Sequence, residues 1–227
     1  MITFQNVTKA YNDGPPALED VSFKINQGEF VSLVGRSGAG KSTIAKLLSG
    51  EEKPTRGRVF FKDTEVNKLK ASELPYLRRH IGIVFQEFRL LPQKTAYENV
   101  AYALEVAGRP QREIAELVPQ VLDMVGLSEK LQSFPSELSG GEKQRVGIAR
   151  AMVHRPEVII ADEPTGNLDP FNTWEIISLL QKINALGTTL LLATHDKEII
   201  NTLDKRVITL DRGRLIRDEE KGKYILA

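Results

Sequence analysis

The chain has no cysteine in 227 residues. Disulfides and Cys-ligated zinc are excluded, which fits the cytosol. It also lacks an excess of either charge: 31 Lys and Arg stand against 30 Asp and Glu, a formal net charge of +1. A general nucleic-acid binder would carry a basic excess, so that class is disfavoured. No window approaches the roughly 18 apolar residues of a membrane span. The start, Met-Ile-Thr-Phe-Gln-Asn-Val, has no basic stretch leading into an apolar run, so no signal peptide is expected. Any membrane role has to come through a partner. Repeats, low-complexity stretches and long linkers are absent too. What remains is an ordinary globular composition, 41% hydrophobic and 27% charged. The length suits one domain, or one domain with an inserted lobe.

Short strand patterns alternate with helical ones, which predicts an α/β fold. Phe30–Val34 reads as a buried strand entering a glycine loop, and residues 39–49 as a helix that Gly50 stops. Ile81–Phe85, 158–161 and 189–193 read as further buried strands. Helical patterns between them imply crossovers and a mostly parallel sheet. Residues 1–34, with Val59, Phe60 and Phe61, carry short alternating strands such as 21–25, which predict a small antiparallel sheet beside that core. Residues 95–155 show no strand and several helical stretches. The expected organisation is one domain over 1–227, with a catalytic core of 1–86 and 156–227 and a helical subdomain at 87–155.

Gly35-Arg36-Ser37-Gly38-Ala39-Gly40-Lys41-Ser42, with Thr43 behind it, satisfies G-x-x-x-x-G-K-[ST] between a strand and a helix. Glycines let the backbone wrap a phosphate, and successive N–H groups with the helix N-terminus attract the anion. Lys41 is expected to reach the β- and γ-phosphates of ATP, and Ser42 to hold Mg²⁺. Arg36, Ser37 and Ala39 belong to the cradle through their backbone, and no role is assigned to the Arg36 side chain. The buried strand at 158–161 ends in Asp162-Glu163. Asp162 is expected to support Mg²⁺, and Glu163 to act as general base on the attacking water. A module holding ATP as dimer glue without hydrolysis would need neither Glu163 nor His195. His80 and His154 read as structural.

Leu138-Ser139-Gly140-Gly141-Glu142-Lys143-Gln144-Arg145 supplies a second Gly-rich turn that opens a helix. One subunit cannot easily fold both phosphate-facing sets onto one ATP. The economical reading is two copies head to tail, a homodimer with two ATPs between them.

These motifs, in this order and over nearly the whole chain, resemble the nucleotide-binding subunits of ABC ATPases. The resemblance implies a P-loop fold with a small antiparallel subdomain and an inserted helical subdomain. It implies that Gln86 contacts Mg²⁺ and water and opens the lobe that meets a membrane partner. Residues 138–144 match the family's signature, with Lys143 where a second glutamine is more usual. Gly166-Asn167-Leu168-Asp169 matches the loop that crosses the dimer seam. His195, in Thr194-His195-Asp196, matches the switch histidine. Tyr11, beside an Asn12-Asp13-Gly14 turn, stands where the family stacks adenine on an aromatic ring. The implied catalytic set is Glu163, His195, Lys41 and Gln86.

The stretch 87–100, with Ala161-Asp162-Glu163-Pro164-Thr165-Gly166-Asn167-Leu168-Asp169-Pro170, is similar to the bacterial cell-division branch of that family. That branch implies an FtsX-like, four-span integral membrane subunit, a cytoplasmic-face location at the division site, and an indirect link to peptidoglycan hydrolases. The rival branches are lipoprotein-releasing and macrolide-type exporter ATPases. Phe88, Leu90, Leu91 and Tyr97 are expected to form an apolar docking cluster for the membrane subunit.

Overall fold

The structure, a computed structural model, describes residues 1–11 and 14–223. Asn12 and Asp13, of the turn expected beside Tyr11, lie outside the described residues. The chain opens with β1 (Ile2–Lys9) and β2 (Leu18–Ile25). In β2, Val21, Phe23 and Ile25 point inward between exposed neighbours, the period-two burial of a strand with one wet face. β3 (Phe30–Val34) is buried at every position and leads through the glycine loop into α1 (Lys41–Leu48), which Gly50 ends at φ 64°. β4 (Arg56–Phe61), β5 (Thr64–Glu65) and the short α2 (Leu74–Arg79) precede β6 (Ile81–Phe85). α3 (Ala96–Val106), α4 (Gln111–Met124) and α5 (Gly140–Met152) follow with no strand between them. The remainder alternates: β7 (Val158–Asp162), α6 (Pro170–Ala185), β8 (Thr189–Thr194), α7 (Lys197–Leu203), β9 (Arg206–Asp211) and β10 (Arg214–Glu219).

The strands form two sheets. β2-β1-β4-β5 is small and antiparallel; β10-β9-β3-β8-β7-β6 is parallel except for the β10 edge. β9 and β10 extend the large sheet beyond the strands read from the sequence. Successive residues of one strand serve different cores. Val158 and Ile160 of β7 face the cluster containing Phe4, Leu33 and Ile44, while Ile159 and Ala161 face the one containing Val100, Ile148 and Ile176. The large sheet is therefore covered on both sides, which is why β3, β7 and β8 are apolar without alternation.

The segment between β6 and α3 is irregular but fixed. Thr95 and Glu98 cap α3 reciprocally, with Glu98 accepting from the Thr95 N–H at 2.7 Å. Asn99 is fully buried. Its amide nitrogen stands 2.9–3.1 Å from the carbonyls of Leu91, Lys94 and Thr95, and its Oδ1 accepts from the Leu91 N–H at 2.7 Å. Removing that amide strands several buried backbone groups at once. Asn99→Leu is expected to lower stability by roughly 2–4 kcal/mol and to leave ATP affinity of the folded chain unchanged. A denaturant titration paired with calorimetric ATP binding checks both halves.

Candidate nucleotide site

Parallel pairing sets the C-terminal ends of four strands level. Phe85 is opposite Asp162, Asp162 opposite Ala193, and Leu33 opposite Ala193. Gln86, Glu163, His195 and the loop opened by Gly35 leave the sheet at one edge, where open parallel sheets bind ligands. A cavity of about 760 Å³ opens there, lined by residues 36–43 with Ala17, Gln86, Glu163 and His195.

Gly40 sets the start of α1. Its φ is 105°, and a Cβ there would stand 2.6 Å from the Ala17 carbonyl oxygen, so no other residue fits without displacing the chain. α1 has no side-chain cap, which leaves its first N–H groups available to an anion. Lys41 is buried. Its ammonium donates to the carbonyls of Gly35 at 2.8 Å and Arg36 at 3.4 Å, and stands 3.3 Å from Glu163 Oε1. The other carboxylate oxygen, Oε2, is 2.9 Å from His195 Nδ1. Glu163 thus lies between the loop lysine and the histidine. It does so with φ 49°, a left-handed backbone costing a non-glycine residue about 1–3 kcal/mol, and its N–H is tied to Ala193 O at 2.8 Å.

Asp162 ends β7 with its Oδ1 buried and without a hydrogen-bond partner. A buried carboxylate oxygen left so is costly, and a cation would relieve it. Mg²⁺ suits this donor set, since it favours one or two protein oxygens beside substrate phosphates. Ser42 and Gln86 both line the adjoining cavity.

The signature residues lie elsewhere. Ser139 caps α5 reciprocally with Glu142: Ser139 Oγ accepts from the Glu142 N–H at 3.2 Å, and Glu142 Oε2 accepts from the Ser139 N–H at 2.8 Å. That backbone hydrogen bond holds the Glu142 carboxyl below its ordinary range. At Gly141 a Cβ would collide with the Asn172 side chain, so the starts of α5 and α6 touch. Asp169 caps α6, its Oδ1 accepting from the Asn172 N–H at 3.0 Å, and its pKa is lowered by that bond. Ser139, Gly140, Gly141 and Asp169 do not line the loop's cavity, and neither does Tyr11. The exposed Tyr11 ring lies 4.8 Å from the Lys9 ammonium. Leu90 and Tyr97 pack against the lobe's core, so the apolar cluster expected after Gln86 is less exposed than the sequence implies. Ala17, which crowds Gly40 and lines the cavity, carries no chemical side chain, so no sequence signal marks it.

Fold and site together define a P-loop ATPase with a second Gly-rich helix start, at Ser139–Gly141, outside its own cavity. The family model for ABC transporters matches residues 18–166. The chain is 53% identical over 224 residues to the cell division ATP-binding protein FtsE of Streptococcus pneumoniae serotype 2, covering 99% of this chain and 97% of that one. It is 55% identical over 225 residues to the protein of the same name from Mycobacterium tuberculosis, covering 99% and 98%. A solved dimer of the ATP-binding cassette MJ0796, in a post-hydrolysis state with ADP and Pi, superposes with TM-score 0.88 at 38% identity over 99% of this chain and 100% of that one. The chain belongs to the ABC transporter family, among its FtsE-type ATP-binding proteins. It is accordingly an ABC-type ATPase, converting ATP and water to ADP and phosphate.

Glu163 lies in the cavity between Lys41 and His195, and Glu163→Gln keeps the shape while removing the carboxylate expected to act as base. We expect ATP binding within a few-fold of wild type and turnover reduced by about 10²-fold or more. Filter binding and a phosphate-release assay separate the two; near-normal hydrolysis would exclude Glu163 as the base.

Proposed function

We propose that this chain is the ATP-hydrolysing subunit of a membrane complex that couples ATP turnover to cell division. Residues 35–43 of one copy hold ATP, with Tyr11 stacked on the adenine. Ser139, Gly140 and Gly141 of a second copy close over the γ-phosphate, and Asp169 lies at the seam between the copies. Glu163 orients the water for in-line attack, while Lys41 and His195 stabilise charge on the transferring phosphoryl group. Ser42, Gln86 and Asp162 would hold Mg²⁺, which would neutralise part of the phosphate charge. Lys41 faces Glu163 at 3.3 Å, so the γ-phosphate competes for the lysine and releases the carboxylate to the water. ATP favours the closed dimer over the open one, and that difference is what can drive a partner.

The observation that carries this reading is the division of labour in the chain. The loop, Glu163 and His195 share one cavity, and the signature helix starts outside it. The cell-division role is supported by near-full-length relatives that bear that name. The partner is an FtsX-like integral membrane subunit, reached on the cytoplasmic face of the plasma membrane at the division site, with peptidoglycan hydrolases controlled beyond it. Among the described residues no helix is long and apolar enough to cross a membrane. Docking falls on the irregular segment after Gln86, where Phe88 and Leu91 are half-buried.

Cells relying on the Glu163→Gln chain should make the complex but separate poorly at division; the exporter reading predicts normal division. Docking is tested by a pair of variants. Leu91→Glu is expected to keep its melting temperature and lose co-purification with the membrane subunit. Leu90→Glu, which drives a charge toward the lobe's core, should lower the melting temperature as well. Normal co-purification by folded Leu91→Glu would remove the docking assignment.

A further inference from the structure

The segment after β6 carries backbone strain that local sequence does not explain. Phe88 and Arg89 are both left-handed, at φ 60° and 48°, and neither is a glycine or asparagine. Their conformation is held from α5. Arg150 spans two consecutive carbonyls like a fork, Nη1 donating to Arg89 O at 2.6 Å and Nη2 to Phe88 O at 2.9 Å. Six residues earlier on the same helix, Gln144 is fully buried and its Nε2 donates to Phe85 O at 3.2 Å. Between them Gly147 faces the loop, where a Cβ would stand at ordinary contact distance, 3.7 Å, from Phe88 O. Gln86 sits inside this bracket, and its own carbonyl accepts from Asn167 Nδ2 at 3.2 Å.

Arg150 is a costly choice for such a contact. Among the described residues it has no carboxylate within ion-pair distance, and burial, with Arg89 close by, pushes its pKa down. A side chain needed only for packing would not require a guanidinium. A planar fork is the side chain that can fix two adjacent carbonyls at once.

The other end of α5 is Ser139. The helix is continuous over Gly140–Met152 with cap bonds at its start, an unbroken rod of about 20 Å at 1.5 Å per residue. We propose that Arg150 is a positioning residue that ties the signature, which meets the ATP held by the second copy, to this chain's own Gln86, so that each ATP of the dimer sets the geometry of the other site. This rests on the composite-site reading above. Engagement of Ser139 shifts α5, α5 carries the carbonyls of Phe85, Phe88 and Arg89 with it, and Gln86 follows. Coupling of this kind is reciprocal and appears as positive cooperativity.

The test uses the full chain with ATP and Mg²⁺. Turnover is measured against ATP concentration for wild type, Arg150→Leu and Arg150→Lys, together with melting temperature, ATP affinity at protein concentrations that keep the chain monomeric, and the dimer population of the Glu163→Gln chain. Wild type is expected to show a Hill coefficient approaching the number of sites, about 2. Both Arg150 variants should bind ATP within two-fold of wild type as monomers, lose roughly ten- to a hundred-fold in kcat, and show a Hill coefficient near 1. Lysine should recover the melting temperature but not the cooperativity, because one ammonium cannot span both carbonyls. A folded Arg150→Lys chain with wild-type kcat and Hill coefficient overturns the proposal, as does a fall in kcat with the Hill coefficient unchanged. A dimerising wild type with a Hill coefficient of 1 overturns it too. If Glu163→Gln never dimerises with ATP while wild type still hydrolyses it, the composite site itself fails, and the coupling falls with it.

Discussion

Parallel pairing obliges β3, β8, β7 and β6 to end on the same edge of their sheet, and the register Leu33–Ala193–Asp162–Phe85 levels those ends. Four short strands thereby deliver a glycine loop, a histidine, a glutamate and a glutamine to one cavity without any long reach of side chain. The positive end of α1 stands at that edge as well. The rest of the molecule serves this alignment. The sheet is buried on both faces, by the small antiparallel sheet and α1 on one side and by the helical lobe and α6 on the other. A slip of one residue in any strand would exchange its two apolar faces and withdraw its terminal group from the cavity.

Backbone strain and unpaired polarity, which occur elsewhere in the chain as well, are present at this place too. Glu163, Phe88 and Arg89 adopt left-handed backbones, and Asp162 keeps a buried oxygen without a partner. Each is unfavourable in isolation and is held by the surroundings: Glu163 by the Ala193 carbonyl, Lys41 and His195, the loop by Gln144 and Arg150. Such sites persist where function requires a geometry that the local sequence would not choose. The overall charge balance leaves these local arrangements to handle a highly charged ligand.

Much of this was legible in the sequence for physical reasons. Ile81–Phe85 and the apolar stretches that became β7 and β8 are too short for helices and are bounded by polar or turn residues, so their length identified them as buried strands. The loop 35–42 was legible because close approach to phosphate demands glycine at fixed spacing. β9 escaped because Val207–Leu210 is a brief apolar run between charged residues, and its strand character comes from pairing with β3. β10 escaped because it is an edge strand with a mostly exposed, charged sequence. The hold of Arg150 on Phe88 and Arg89 could not be read at all. It depends on where two carbonyls of an irregular loop point, some sixty residues away in the chain. Leu90 and Tyr97 looked like an exposed patch because their burial comes from packing of the lobe.

In the function proposed here, hydrolysis depends on completion of each site by a second copy. The most direct test of that dependence mixes two inactive chains, Lys41→Ala, which lacks the loop lysine, and Ser139→Arg, which blocks the signature. A heterodimer of the two joins the intact Lys41 of one to the intact Ser139 of the other. The account predicts that the equimolar mixture hydrolyses ATP measurably above either parent; statistical mixing with one intact site per heterodimer sets a ceiling of about a quarter of wild-type turnover, and loss of the coupling between sites places the value below it. A mixture no more active than its parents, in which heterodimers are shown to form, would contradict it.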